Sequence, residues 1–378
     1  MKNKFLFTVI LTSFCLLIFA IKTFGQDDYT TKTFKVGKGG TLKMGISGGD
    51  ITVKTGSNNE VKVSYDEDYD YSGVTIYQDG SNITIRSDDY SDFEITVPYE
   101  YNLNLNTSGG NVEVSNNIAG NVKIRTSGGE IELKDVKGEL DVSTAGGNIQ
   151  CGSIAGDTKL SSSGGNIAVG PVAGECVVST GGGDVSVENV TKKLNISTGG
   201  GNIVCSRIGG DTKITTGGGD VEVKDISGVL HATTGGGNIY GVNINKGGQI
   251  VTGGGDISIK KLSGNVEITS GSGNVLAEFV SMGNKVSQIF SGYGDITVYI
   301  PENAKVTIEA MVKYAEGNVW SVDKQEISET IKSEFKSSSE DINKKKGEYK
   351  AVYNINGGGV KIYLKTSIGY IEIKKSKR

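Results

Sequence analysis

Nine times from Glu130 to Asn274, at a constant spacing of eighteen residues, a small turn-forming doublet is followed by an acid or amide and then by Ile or Val. The positions are Glu130, Asn148, Asn166, Asp184, Asn202, Asp220, Asn238, Asp256 and Asn274. A unit repeated at constant length buries its apolar face only by stacking on copies of itself, so the spacing predicts a solenoid whose length counts coils rather than domains. The composition agrees, because 57 glycines against 3 prolines, one Trp and one His suit a backbone dominated by tight turns. Glycines that recur every eighteen residues rather than every third exclude collagen.

One unit runs from Asp220 to Gly237. Alternation at Val221 and Val223, then at Leu230, Ala232 and Thr234, has the period of two expected of strands with one buried face. Ile154, Val172, Val190, Ile208, Ile226, Ile244 and Leu262 form a further inward column. The expected fold class is therefore all-β, a single-stranded parallel β-helix (β-solenoid) with 18-residue coils and irregular β caps at both ends.

The corners Gly217-Gly218-Gly219, Gly235-Gly236-Gly237 and Gly253-Gly254-Gly255 read as sharp reversals that need positive φ and leave no room for side chains. A bulky residue at Gly236 is accordingly expected to break the stack. Only small residues, Ser108, Ser127, Ala145 and Ser163, replace the first glycine of the triplet. From Asn166 to Asn274 the residue after the corner alternates strictly between Asn and Asp. Carboxylates in register at ~4.8 Å would repel by up to ~3.5 kcal/mol per pair at an effective dielectric of about 20, and alternation halves that. Each carboxylate is expected to accept from an Asn amide above and below, which makes the column structural. The alternation also suggests duplication of a 36-residue double coil, with the coil from Asn166 as a single insertion.

Four segments follow. Residues 1–25 read as a secretory signal, with Lys2 and Lys4, the apolar run Phe5 to Ile21 and then Thr23-Phe24-Gly25 before Gln26. A retained membrane anchor is the alternative. Cys15 follows the bulky Phe14, which argues against lipoprotein attachment. Residues 26–106 form an N-terminal β cap and first coils, 107–300 the regular repeat, and 301–378 a C-terminal cap with an insertion at 323–347. Within the insertion, Ile327, Ile331 and Phe335 at four-residue spacing predict a helix over Asp323–Lys336, packed over the last coils or binding a partner. Ser337 to Gly347 reads as a mobile loop.

Loss of Lys2, Lys4 and Lys22 with the signal would take the formal net charge from -4 to about -7, which makes nucleic acid and acidic lipid poor partners. Cys151 and Cys205 share a repeat position three coils apart, a separation of ~14 Å that no disulfide bridges. Cys176 is the one partner in reach of Cys151; all three are read as small apolar core residues.

The sequence carries no catalytic, cofactor-binding or metal-ligating signature. His231 falls between Lys213 and Gln249 in neighbouring coils and reads as a solvated surface residue. The calcium-binding nonapeptide is missing, although the cluster Tyr65 to Tyr71 could hold a cation or a sugar. Ser161, Ser179, Ser197, Thr215, Thr233 and Thr269 make an outward hydroxyl row, interrupted by Val251, that suits glycans better than ice. A polysaccharide lyase or hydrolase would need long loops projecting from the coils, and eighteen-residue units leave none.

The segments Ile95-Thr96-Val97-Pro98, Leu105 to Val112, Gly357-Gly358-Gly359-Val360 and Ile368-Gly369-Tyr370-Ile371 carry a resemblance. Over nearly the whole chain beyond the signal, they resemble the bacterial β-strand-repeat family of putative adhesins, a domain of unknown function similar in style to auto-transporter adhesin heads. The resemblance implies a parallel β-helix at the cell envelope or surface and no catalytic residue. The reading that results is an exported, non-enzymatic solenoid that meets a glycan, a matrix or a cell-surface or envelope protein. It would touch a membrane only through an uncleaved signal. A periplasmic structural or signalling component is the alternative.

Overall fold

The computed structural model describes residues 29–66, 73–313, 327–343 and 345–376. The signal segment and most of the cluster Tyr65 to Tyr71 lie outside the described residues.

The chain is all-β, with almost no helix, and winds as a solenoid of two long ladders. In the repeat each coil contributes a short strand such as Ile149–Cys151 and a five-residue strand such as Thr158–Ser162. Each strand pairs in parallel with its counterpart eighteen residues along, as Leu194↔Thr212 and Val185↔Ile203 show. The side chains alternate as the period of two requires, so that Leu230, Ala232 and Thr234 are buried while His231 and Thr233 are exposed. A third inward column closes the section. Isolated parallel bridges link Ile118, Val136, Ile154, Val172, Val190 and Ile208, all buried.

The coils change character at Arg207. From there the short strand lengthens to Ile203–Ile208, Val221–Ile226 and Ile239–Ile244, and the third column joins its ladder. One residue per coil takes a left-handed conformation to make this bend: Arg207, Asp225, Asn243 and Lys261, with φ of 58°, 57°, 62° and 51°.

The glycine corner differs from expectation on two points. Positive φ falls on the four residues just named and on glycines such as Gly247, Gly248 and Gly264, rather than on the triplets. Nor is every triplet position closed. A Cβ on Gly235 or Gly237 would collide with the carbonyl oxygen of Gly217 or Gly219 in the preceding coil, whereas one on Gly236 meets nothing within 4 Å. Close stacking of backbones, rather than conformational reach, sets the glycine requirement, and it leaves the middle position free. Ser272 and Tyr293 occupy that middle position in the last coils.

At both ends the order of coils in space departs from their order in the chain. The coil Thr41–Gly48 and Ile51–Gly56 lies between strands Asn82–Tyr90 and Phe93–Pro98 on its outer side and Asn102–Thr107 and Val112–Val114 on its inner side. At the other end Val360–Ile368 slots between Ser287–Tyr293 and the earlier Val306–Lys313. Antiparallel strands then finish the ladders: Tyr29–Lys35 and Glu60–Asp66 on one, and Glu348–Ile355 and Ser339–Asn343 beyond Val306–Lys313 on the other. An open parallel ladder would expose unpaired backbone groups, and these strands cover them.

Two C-terminal expectations are corrected. Of the helix expected over Asp323–Lys336, residues 323–326 lie outside the described residues and Ile327 and Ser328 are helical, but the C-terminal part is not: Ile331–Ser333 is a strand, paired in parallel with Ile371–Lys375. Spacing of four is a multiple of two as well as close to a helical turn, so Ile327, Ile331 and Phe335 satisfy either period. The open edge of Ile371–Lys375 decides for the strand. Within the expected loop Ser337 to Gly347, Ser339–Asn343 is likewise a strand.

Candidate functional site

Most of the polar side chains in register along the solenoid serve the fold. The corner column runs from cap to cap, and its side-chain oxygens accept the backbone N–H of the next coil: Asp50 to Asp92 Oδ1 at 2.8 Å, Asn202 to Asp184 at 2.7 Å, Asp220 to Asn202 at 2.9 Å, and finally Tyr370 to Asp295 at 2.8 Å. The expected amide-to-carboxylate bonds are secondary. Asn238 Nδ2 reaches Asp220 Oδ1 at 3.2 Å, and Asn148 Nδ2 donates to Glu130 Oε1 at 2.9 Å, where the longer glutamate side chain takes the place of Asx. A second, buried column of hydroxyls pins the glycine corner. Thr234 Oγ1 donates to the Gly219 carbonyl at 2.8 Å and accepts from the Gly237 N–H at 3.1 Å, an arrangement repeated from Thr126 to Ser270.

The three cysteines are free and buried. Burial pushes the Cys176 and Cys205 thiols up to about 12 and raises that of Cys151 as well, so none is a nucleophile at neutral pH. His231 is exposed between Lys213 and Gln249 as its repeat position predicts, and neither neighbour is a carboxylate that could make it a base. Among the described residues no group of His, Cys, Asp and Glu is arranged to hold a metal ion, and no helix is long and apolar enough to cross a membrane.

What remains is the outward face of the long-strand ladder. Its hydroxyl row is continuous in register from Ser143 through Ser161, Ser179, Ser197 and Thr215 to Thr233. Ser197 and Ser179 lie within 3.2 Å, Oγ to Oγ, while Ser197, Thr215 and Thr233 are exposed. Beside it runs a mixed row, Lys159, Val177, Asn195, Lys213, His231 and Gln249.

At the N-terminal end this face holds a notch of about 190 Å³ that sequence reasoning missed. Lys43, Thr84, Arg86, Asn104 and Asn106 surround it, and Gly45 leaves its floor bare. The only signal was a glycine at an outward strand position, which becomes informative once the register sets Arg86 and Asn106 on either side of it. The opposite end carries exposed apolar side chains instead, with Tyr293 63%, Ile368 61% and Tyr370 54% exposed around one corner.

Solved structures that match the chain include a putative adhesin of Bacteroides fragilis, 16% identical with a TM-score of 0.39 over 55% of this chain and 97% of that one. A putative lipid binding protein of Parabacteroides distasonis is 14% identical with a TM-score of 0.28 over 73% and 98%, and a putative adhesin of the same organism is 13% identical with a TM-score of 0.25 over 72% and 98%. No curated protein matches the sequence. The Toastrack DUF4097 family model matches residues 40–240 and again 177–362, which together span the repeat and most of both caps, and the chain therefore belongs to the Toastrack DUF4097 family.

Proposed function

We propose that this chain is an exported, non-enzymatic rod of the bacterial cell envelope, its repeat wound as a single-stranded parallel β-helix, that recognises a glycan, matrix or surface polymer. The observation that carries this reading is the outward hydroxyl row from Ser143 to Thr233, held in register on a rigid ladder and not consumed by the fold as the inward hydroxyls are. A flat, evenly spaced set of donors and acceptors complements a polymer that repeats its own hydroxyls. Burial of the three thiols and the placing of His231 between Lys213 and Gln249, among the described residues, support a binding role over a catalytic one.

Protease accessibility on intact cells, with a periplasmic marker as control, tests the placement. Selective digestion supports recognition outside the cell. Protection until lysis supports the second reading, a periplasmic envelope component, for which the exposed Tyr293, Ile368 and Tyr370 would be the contact with a membrane protein.

A further inference from the structure

Resting on that reading of the long-strand face, we propose that the notch over Gly45 is an anchoring subsite for the carboxylate of an acidic polysaccharide. Packing does not require the glycine. A Cβ at Gly45 meets nothing within 4 Å, and the following coils carry Asn106, Arg125 and Ser143 in the same row. The bare floor therefore serves something other than the stack.

Around it stand groups suited to a carboxylate and its sugar. Lys43 and Arg86 are exposed and, among the described residues, make no ion pair, although residues 26–106 hold 14 acidic against 7 basic residues and Lys38 and Lys54 of the same cap are paired with Glu100 and Glu94. Two unpaired cations facing one cavity in an acidic cap form a site for a single negative group. Asn106 Nδ2 is turned to the Met44 carbonyl and Asn104 Oδ1, each at 3.4 Å, which leaves Asn104 Nδ2, Asn106 Oδ1 and the Thr84 hydroxyl as donors and acceptors for sugar hydroxyls. Exposed Tyr77, paired with Thr84, offers an apolar plane beside them. On the other side the row continues into Lys123 and Arg125, which share Asp141 at 3.8 Å and 2.9 Å, and then into the hydroxyl track. One notch takes one charge, which favours a polymer of sparse carboxylates over nucleic acid, whose duplex carries a charge every ~1.7 Å.

Binding of the purified chain to hyaluronan, neutral dextran and a twenty-nucleotide oligothymidylate tests this. Hyaluronan should bind, weaken with added salt, and lose about tenfold in affinity in the Lys43→Gln/Arg86→Gln double variant. Gly45→Val should lose as much while melting like the parent, because its side chain has room. Lys134→Gln/Lys224→Gln on the other ladder removes the same charge and should leave binding unchanged. Equal binding of dextran, with no effect of the notch variants, overturns the subsite and leaves the polymer-binding reading standing. Oligothymidylate binding as tight as hyaluronan, or an equal loss in the control variant, overturns the subsite as general attraction of anions. Failure to bind any polymer, with no adhesion to cells or envelope extract, sinks both.

Discussion

A single methyl group separates the corner glycines from one another. Gly236→Ala should change stability by less than about 0.5 kcal/mol, since its Cβ enters open space, while Gly237→Ala, forced against the Gly219 carbonyl, should cost about 1–3 kcal/mol. Thermal melting of the two variants checks the contrast. Triplets alone could not reveal it, because a run of three glycines looks the same whichever positions the stack requires; Ser272 and Tyr293 in the middle slot were the legible hint. Thr234 shows the same limit. Its inward direction follows from alternation, but its hydrogen bonds to Gly219 and Gly237 depend on where the neighbouring coil comes to rest. Thr234→Val should therefore cost about 1–3 kcal/mol by leaving a buried carbonyl and N–H unsatisfied, whereas Thr234→Ser should be mild, as Ser162 and Ser270 already stand in that column. The thiols add a pH dependence. A cysteine raised from the usual 9.0 to about 12 on folding stays protonated while the unfolded chain ionises, so its contribution is full below pH 9 and is lost as pH climbs toward 12. Native protein at pH 8 should accordingly resist a thiol reagent that labels all three buried cysteines in denaturant.

Strands and corners were legible wherever one period was enforced by many copies, and illegible where a segment occurs once. Ile154 to Leu262 repeats its inward position seven times, and the structure buries every member. Ile327, Ile331 and Phe335 occur once, fit two periods, and owe their form to a partner 40 residues away in the chain, with Ile331 opposite Ile371. That pairing covers the last edge of the short-strand ladder. Ile331 is only 5% exposed, so Ile331→Asp would place a charge against the core and loosen the covering strand. The expected outcome is a protein that keeps its repeat but self-associates, visible as a rise in light scattering with little loss of β signal in circular dichroism. The left-handed residues mark a second element that composition hid. Arg207 and Lys261 do not announce positive φ as glycine does, although Asp225 and Asn243 are types that tolerate it.

Over the whole molecule the corner column acts as a spine, and its alternation of Asn and Asp makes the 36-residue double coil the natural unit of length. Deleting residues 184–219 brings Asp220 to follow the coil of Asn166, so that the column still alternates and every backbone N–H still finds an oxygen below it. Deleting residues 202–219 alone sets Asp220 directly on Asp184. Both variants shorten the rod, by about 10 Å and 5 Å at ~4.8 Å per coil. Hydrogen bonding is the same in the two, because either corner residue supplies the acceptor oxygen. In the corner column they differ by one carboxylate pair at ~4.8 Å, worth between about 1 kcal/mol in water and ~3.5 kcal/mol at an effective dielectric of 20; elsewhere the longer deletion lacks one more coil and the shorter one sets Lys224 in the row of Glu188. The molecule bears such juxtapositions already, at Asp92 and Asp50 in the N-terminal cap, where the Asp50 N–H donates to Asp92, and at Asp157 and Glu175 in the repeat, where the Glu175 N–H donates to Asp157. The shorter deletion should therefore fold, and adding Asp220→Asn to it, which removes the pair without changing the number of coils, should raise its melting point at low salt and do little in high salt, where the exposed pair is screened. Melting of the shorter deletion with and without Asp220→Asn across a salt series, with small-angle scattering to confirm the lengths, separates this from a packing defect, which salt would not repair.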